Sequence, residues 1–291
     1  MSSLRSWRPK LPMALAIALV LLALVETVSA LTAPYRVASN ADWEAAAAEV
    51  RAGFRSGDLI VFAPAWSDQV GRAHLGDLVT VEMAGRADAD RYGRVWQVSI
   101  RGARAPETAQ ATLLRTERHG RVTVALYQKP SVTVLYDFTS HAADARVTEL
   151  SRHSDERPCY KQRTGFRCAG VTVEPRTLEV GYAPHRGILT PADGDRLTRL
   201  EFSNVLLGRT LVGYTGLHDF YSRLKGDGPV DFAVFIDGQK RFALHYEQAM
   251  GWRRFTVDTT PLAGTRHTVR FEVSSPRPAW RTFGFHAEAR K

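Results

Sequence analysis

The sequence predicts an apolar N-terminal helix, then an α/β domain, then an all-β sandwich. Three observations carry that order. Residues 11–25 form an apolar run broken only by Pro12. Residues 36–150 alternate helix-type stretches with continuous apolar runs of strand length. From residue 158 onward short alternating segments are separated by turn residues.

The first segment opens with Arg5, Arg8 and Lys10, continues through the apolar run, and closes with Glu26-Thr27-Val28-Ser29-Ala30. A signal peptide needs a basic start, an apolar stretch and small residues before the cut, and Val28-Ser29-Ala30 fits cleavage after Ala30. A membrane helix needs ~20 apolar residues. Residues 11–31 reach that length with Glu26 near the outer interface, where a carboxylate reaches water. The basic residues precede the run, so either reading of residues 1–31 puts the folded part outside the cytoplasm. The expectation is a single-pass protein of the cell membrane or a secreted periplasmic one.

The 291 residues are 44% hydrophobic and 24% charged, which excludes a disordered or fibrous chain. The net charge of +9 is uneven. Residues 31–159 carry 16 basic and 16 acidic side chains, whereas residues 160–291 carry 20 basic against 13 acidic. Most of the excess is Arg, which suits bidentate contact with carboxylates or phosphates and equally suits a solvated surface. Outside the cytoplasm the anionic partner would be a glycan or an acidic envelope polymer, and no nucleic acid. Cys159 and Cys168 close a short loop that holds Gly165 and no His. That spacing predicts a disulfide in an oxidising compartment and no metal.

In the α/β region (36–150), Asn40 can cap a helix over 41–51 whose buried face is Trp43, Ala46, Ala47, Val50 and Phe54. Gly57-Asp58 turns the chain into Leu59-Ile60-Val61-Phe62-Ala63, a strand of the kind buried on both faces. Further strands are expected at 94–100, 122–127 and 132–136, with a helix over 107–117. Ligands in such sheets sit beyond the C-terminal ends of strands. The loop after the first strand holds Asp68, Arg72, His74 and Asp77. A His between carboxylates can do acid–base work, and Arg72 can bind an anion. The same residues also suit a helix start capped by Asp68 with a polar outer face.

The patterns W-E-A-A-A-A-E-V-R, G-D-L-I-V-F-A-P-A-W and R-Y-G-R-V-W-Q-V resemble the extracytoplasmic soluble portion of mannosyltransferase-like membrane glycosyltransferases that use polyprenyl-phosphate sugars. The resemblance covers residues 11–127. That family's catalytic acidic residues lie in a multi-helix membrane body. The resemblance therefore implies an accessory part with a membrane glycosyltransferase as partner, and transfers no catalytic residue.

The sandwich region (158–291) contains strand candidates at 171–173, 177–180, 196–202, 210–214, 230–236, 241–246, 252–258, 267–273 and 281–289, with a hairpin signal at Asp237-Gly238. F-A-V-F-I-D-G-Q, G-W-R-R-F-T-V-D-T-T-P-L-A-G and H-T-V-R-F-E-V resemble the galactose-binding-like jelly roll, a fold of many carbohydrate-binding modules. Sugar-binding modules stack loop aromatics on pyranose rings and back them with Asp, Arg or His. The loop candidates are Tyr214, His218, Asp219, Tyr221 and Trp280, with His185 and Arg186. Tyr214, Phe220 and Tyr221 also suit a core or a sheet edge. Asp193-Gly194-Asp195 reads as a turn, or as two oxygens of a calcium site.

Among catalytic motifs, G-x-S-x-G, H-E-x-x-H, the P-loop and G-x-G-x-x-G are all missing. The sequence thus points to a non-catalytic, membrane-anchored, extracytoplasmic binding protein without cofactor. Two alternatives stay open: an enzyme on a glycan or lipid-linked sugar using Asp68, His74 and Asp77, and a protein-interaction module.

Overall fold

The computed structural model describes residues 10–85, 88–130, 132–151, 155–169, 171–192, 196–218, 228–247, 251–276 and 281–291. They fall into two compact units. The first is Met1–Ser56, Val61–Leu75 and Trp96–Tyr127; the second is Gly57–Ile60, Gly76–Val95 and Gln128–Lys291.

Helix α1 (Lys10–Arg36) includes a 20-residue stretch, Met13–Thr32, long and apolar enough to cross a membrane. Length and composition fit a single-pass anchor or a signal sequence equally. Helix α2 (Asn40–Gly53) starts one residue earlier than the sequence suggested. Its N-cap is Ser39, whose hydroxyl accepts from the Asp42 amide while Asp42 accepts from the Ser39 amide. Trp43, Ala46, Ala47 and Val50 are its buried face as the periodicity predicts, while Phe54, expected with them, is the half-buried C-cap.

Strand β1 (Asp58–Ala63) is buried along its whole length, and α3 (Asp68–Leu75) and the short α4 (Val81–Gly85) follow. Strands β2 (Arg94–Ile100), β3 (Thr112–His119) and β4 (Val122–Gln128) complete a sheet of order β1-β2-β4-β3. The helix expected over 107–117 does not form. A single 3-10 turn (Pro106–Thr108) precedes β3, which is exposed throughout almost its full length. Leu113, Leu114 and Arg115 favour helix weakly, but pairing with β4 across the two-residue turn at Gly120-Arg121 overrides them. Gly120 has φ +56 there, the left-handed conformation such a turn requires. Arg115, Glu117 and Arg118 keep this edge strand charged.

The sandwich begins earlier than residue 158. Strands β5 (Val134–Asp137) and β6 (Arg146–Ser151) already belong to it, because β5 pairs with the last strand and β6 with a central one. Residues 36–150 therefore do not make the self-contained α/β domain that the sequence suggested. Three two-residue strands, β7 (Arg157–Pro158), β8 (Tyr160–Lys161) and β9 (Phe166–Arg167), surround the Cys159–Cys168 disulfide, which forms as expected. Then come β10 (Thr172–Val180), β11 (Ala183–Leu189), β12 (Arg196–Leu206), β13 (Thr210–Leu217), β14 (Val230–Ile236), β15 (Gln239–Tyr246), β16 (Arg253–Asp258), β17 (Arg266–Ser274) and β18 (Phe283–Arg290).

One sheet runs β16-β13-β18-β11-β10-β9-β8 with β5 beside β18; the other runs β15-β14-β17-β12-β6-β7. Their inner faces meet in a core built around Phe138, Phe202, Phe232, Phe271, Phe283 and Phe285. Phe271 and Phe285 cross the gap between sheets with ring centroids 4.7 Å apart. The chain thus contains a two-layer antiparallel sandwich. Strand β11 is absent from the sequence reading because Pro184 and Gly187 mask it. Gly187 is needed, since a Cβ there would meet the Phe285 carbonyl at 2.7 Å.

Candidate functional site

Alternation along the strands of the six-stranded sheet puts Phe202, Phe232 and Phe271 inward and leaves a polar outer face. Register then lines the outward residues into three rows across the strands. The first is Thr148, Arg199, Glu272, Ala233 and Ala243. The second is Arg146, Glu201, Arg270, Phe235 and Lys240. The third is Leu150, Leu197, Ser274, Asp231 and His245.

These rows are cross-linked. Arg199 donates from Nε to Glu272 at 2.8 Å and from a terminal nitrogen to Glu156 at 3.1 Å. Arg270 bridges to Glu272 at 3.1 Å and lies over the Phe235 ring at 4.3 Å. His245 and Asp231 pair at 2.7 Å. The Thr148 hydroxyl bond, helped by the neighbouring Arg199, holds Glu156 below the usual carboxylate range against the opposing effect of burial. Burial disfavours the charged form of Arg199, but its bonds to Glu272 and Glu156 outweigh that and raise its pKa. Two depressions open on this face. One of about 140 Å³ is lined by Arg146, Thr148, Glu156, Arg199, Glu201 and Arg270. The other, of about 320 Å³, includes Asp231, Lys240, Leu244 and Glu272. Such a face offers several preorganised donors and acceptors beside an aromatic ring.

The outer face of the eight-stranded sheet is different. His286, Glu288 and Arg290 of β18, His185 of β11 and Tyr214 of β13 point away from the core yet are buried. Asp88 and Arg91 meet them there. Arg290 pairs with Asp88 and reaches Glu288 at 2.8 Å. Arg91 takes the other Glu288 oxygen at 3.1 Å, and His286 lies 3.4 Å from it. Burial alone would raise the Glu288 pKa, but the His286 bond and the two guanidinium groups bring it down to about 2. Burial, helped by the neighbouring His286, pushes His185 down to about 3. Burial likewise raises Tyr214 to about 12. Asp137, His286 and Glu288 each bring a ligand-type atom within 4.8 Å of the others. Both Glu288 oxygens are already engaged by guanidinium groups, so this geometry is an ion network and a poor cation cage.

Several residues singled out from sequence fall elsewhere than expected. Tyr214 is a buried strand residue edge-on to His185, not a loop aromatic. His185 and Arg186 are also on a strand. The His218 amide donates to the Thr282 carbonyl, so β13 and β18 end side by side. Asp219, Phe220, Tyr221 and Trp280 lie outside the described residues, as do Asp193, Gly194 and Asp195.

Of the 66–77 candidates, Asp68, Arg72 and His74 lie on α3. Asp68 and His74 are six residues apart on α3, which at 100° per residue turns them to different faces. Asp68 pairs with Arg72, its i+4 neighbour. His74 stacks on Trp43 with centroids 6.2 Å apart, and its carbonyl accepts from Arg51. Asp77 falls in the segment that belongs to the second unit. His74 does line a cleft of about 550 Å³ in the first unit, together with Trp43, Trp66 and three arginines. The sequence reading missed both this cleft and the rows on the open sheet. For the rows, the available signal was the outward polar residues at i, i+2 in 199–201 and 270–274.

No family profile matches the chain, and no curated protein does. The resemblance of residues 11–127 to mannosyltransferase-like enzymes therefore has no counterpart in either comparison. Among solved structures, the chain is similar to a CBM51 module from Clostridium perfringens GH95 in complex with methyl-galactose, at 14% identity and TM-score 0.28, covering 39% of this chain and 80% of that one. It is similar to CBM27-1 of Caldicellulosiruptor saccharolyticus in complex with mannohexaose, at 12% identity and TM-score 0.30, covering 56% and 97%. It is also similar to TmCBM61 in complex with beta-1,4-galactotriose, at 17% identity and TM-score 0.24, covering 34% and 69%.

Proposed function

We propose that this chain is a non-catalytic binding protein, held at the outer side of a membrane by α1, whose sandwich takes a glycan or an acidic envelope polymer on the open face of the six-stranded sheet. The observation that carries the reading is the set of three cross-strand rows. They place guanidinium and carboxylate groups in fixed pairs beside Phe235, and such pairs suit bidentate recognition of adjacent hydroxyls or of a uronate. In the second row, cations outnumber acids by three to one, which suits an anionic polymer. His218, Asp219, Tyr221 and Trp280 stay in this proposal as ligand contacts on the sequence reading alone. A membrane glycosyltransferase as partner rests only on the sequence resemblance.

The test is a glycan array probed with the full chain in detergent at two salt concentrations. Salt-resistant binding to defined sugars, weakened about tenfold or more by Arg270→Gln or Phe235→Ala, supports the sugar reading. Binding only to acidic polymers, lost at high salt, assigns the activity to the arginine excess. No binding at all sinks the proposal and favours a protein partner.

A further inference from the structure

The cleft of the first unit has a composition unlike that of the sandwich face. Its floor is Trp43, buried under α2, and its rim exposes Val37, Trp66 and Val70. Three arginines share the lining: Arg101, Arg118 and Arg121. No Asp or Glu lies among the lining residues. Arg101 sits in the turn after β2 with φ 57, next to Gly102 at φ 69, and its guanidinium lies over the Trp66 ring at 5.5 Å. Arg118 stands near the end of β3 and Arg121 in the β3–β4 turn, where Arg118 donates to the Gly120 carbonyl at 2.9 Å and the Arg121 amide donates to Asp42 at 3.3 Å. The turn therefore fixes where both cations start. The volume of about 550 Å³ is that of a small-molecule site.

The position along the chain adds a second argument. Val37 lines the cleft and directly follows Arg36, the last residue of α1. Ala38 and Asn40 line it as well. If Met13–Thr32 spans the bilayer, the cleft wall begins five residues beyond the spanning stretch. An apolar slot with exposed Trp and Val, a triple-Arg rim and a place at the membrane surface matches one chemistry: an amphiphile with an anionic phosphate head.

We infer that this cleft seats the phosphate headgroup and the first acyl carbons of an anionic phospholipid from the leaflet at which α1 emerges. Arg101, Arg118 and Arg121 take the phosphate oxygens, and Trp66 and Val70 take the chain. The inference rests on the anchoring half of the proposed function, and it is independent of what the sandwich binds.

The experiment is native mass spectrometry of the full chain in detergent, titrated with phosphatidylglycerol or with phosphatidylcholine of the same acyl chains. The expected result is one phosphatidylglycerol retained about tenfold or more tighter than phosphatidylcholine. Arg101→Gln, Arg118→Gln and Trp66→Ala, each at an exposed position, should each weaken that preference while leaving the thermal midpoint in place. Equal affinity for the two lipids, or a preference unchanged in all three variants, overturns the inference. Inorganic phosphate at millimolar concentration displacing the lipid fully would reassign the site to a free anion and overturn it too. Carbonate-washed membranes separate this failure from that of the anchor. An intact chain retained there without lipid preference overturns the cleft assignment alone. A chain cut after Ala30 and released overturns the anchor and the inference together.

Discussion

The two outer faces of the sandwich obey the same alternation and end in opposite states. On the six-stranded sheet, Arg199, Arg270 and Glu272 stand partly exposed in paired rows. On the eight-stranded sheet, His286, Glu288 and Arg290 occupy equivalent outward positions but are buried with Asp88 and Arg91. Strand β18 is consequently buried on both sides along its length. Helix α4 contributes to this covering, with Gly85 so close to β11 that a Cβ there would run into the Pro184 carbonyl. Charge on a strand is therefore no guide to a binding surface. In one place it closes the fold, and in the other it stays available to a ligand.

The sharpest way to break this contrast is to remove one partner from the covered network. Glu288→Ala strips Arg91 and His286 of their shared carboxylate and leaves Arg290 with Asp88 alone, and should cost about 3–5 kcal/mol in urea unfolding. A loss under about 1 kcal/mol would mean that the network does not hold the covering segment.

A medium effect should appear in the pH dependence. The His185 pKa falls from the ordinary 6.5 to about 3 on folding. As pH drops below about 6.5 the unfolded chain takes up this proton first, so stability declines from there toward pH 3. Glu288 contributes in the same direction but lower. Its carboxylate favours the folded state above the ordinary value near 4.5, and that contribution is lost as pH falls toward 2. Stability measured between pH 6.5 and 4.5 should thus fall in the parent and fall less steeply in His185→Phe. Parallel slopes for the two proteins would show that His185 is not held neutral by burial.

The smallest effect belongs to the open face. Arg199→Ala removes two ion pairs, yet its partners Glu156 and Glu272 keep access to water, so stability should change by about 1 kcal/mol or less. A loss as large as that of Glu288→Ala would erase the distinction between the faces and mark the rows as structural.

Much of the architecture was legible because it follows from local periodicity. The apolar helix, the buried face of α2, the fully buried β1 and most sandwich strands are visible as patterns of period 3.6 or 2. The disulfide followed from two cysteines nine residues apart. The misreadings came where local and non-local preferences disagree. Leu113 to Glu117 favour helix, but β4 recruits them as an edge strand. Pro184 and Gly187 look like a loop, but β10 and β18 accept them as strand β11. Tyr214 reads as a ring for stacking because the segment with Asp88 and Arg91, which meets that face, is remote from it in sequence.

The sequence by itself determined the order of elements, the inward and outward residues of each strand, and the bond between Cys159 and Cys168, since these depend on side chains a few positions apart. Only the tertiary structure decided which outward residues meet water. It aligned Arg199 with Glu272 across 73 positions and Asp88 with Arg290 across 202, and it set Arg118 and Arg121 in one cleft with Trp66. Such neighbours are chosen by strand register and by the segment that covers a sheet, and neither is written in any local stretch of the chain.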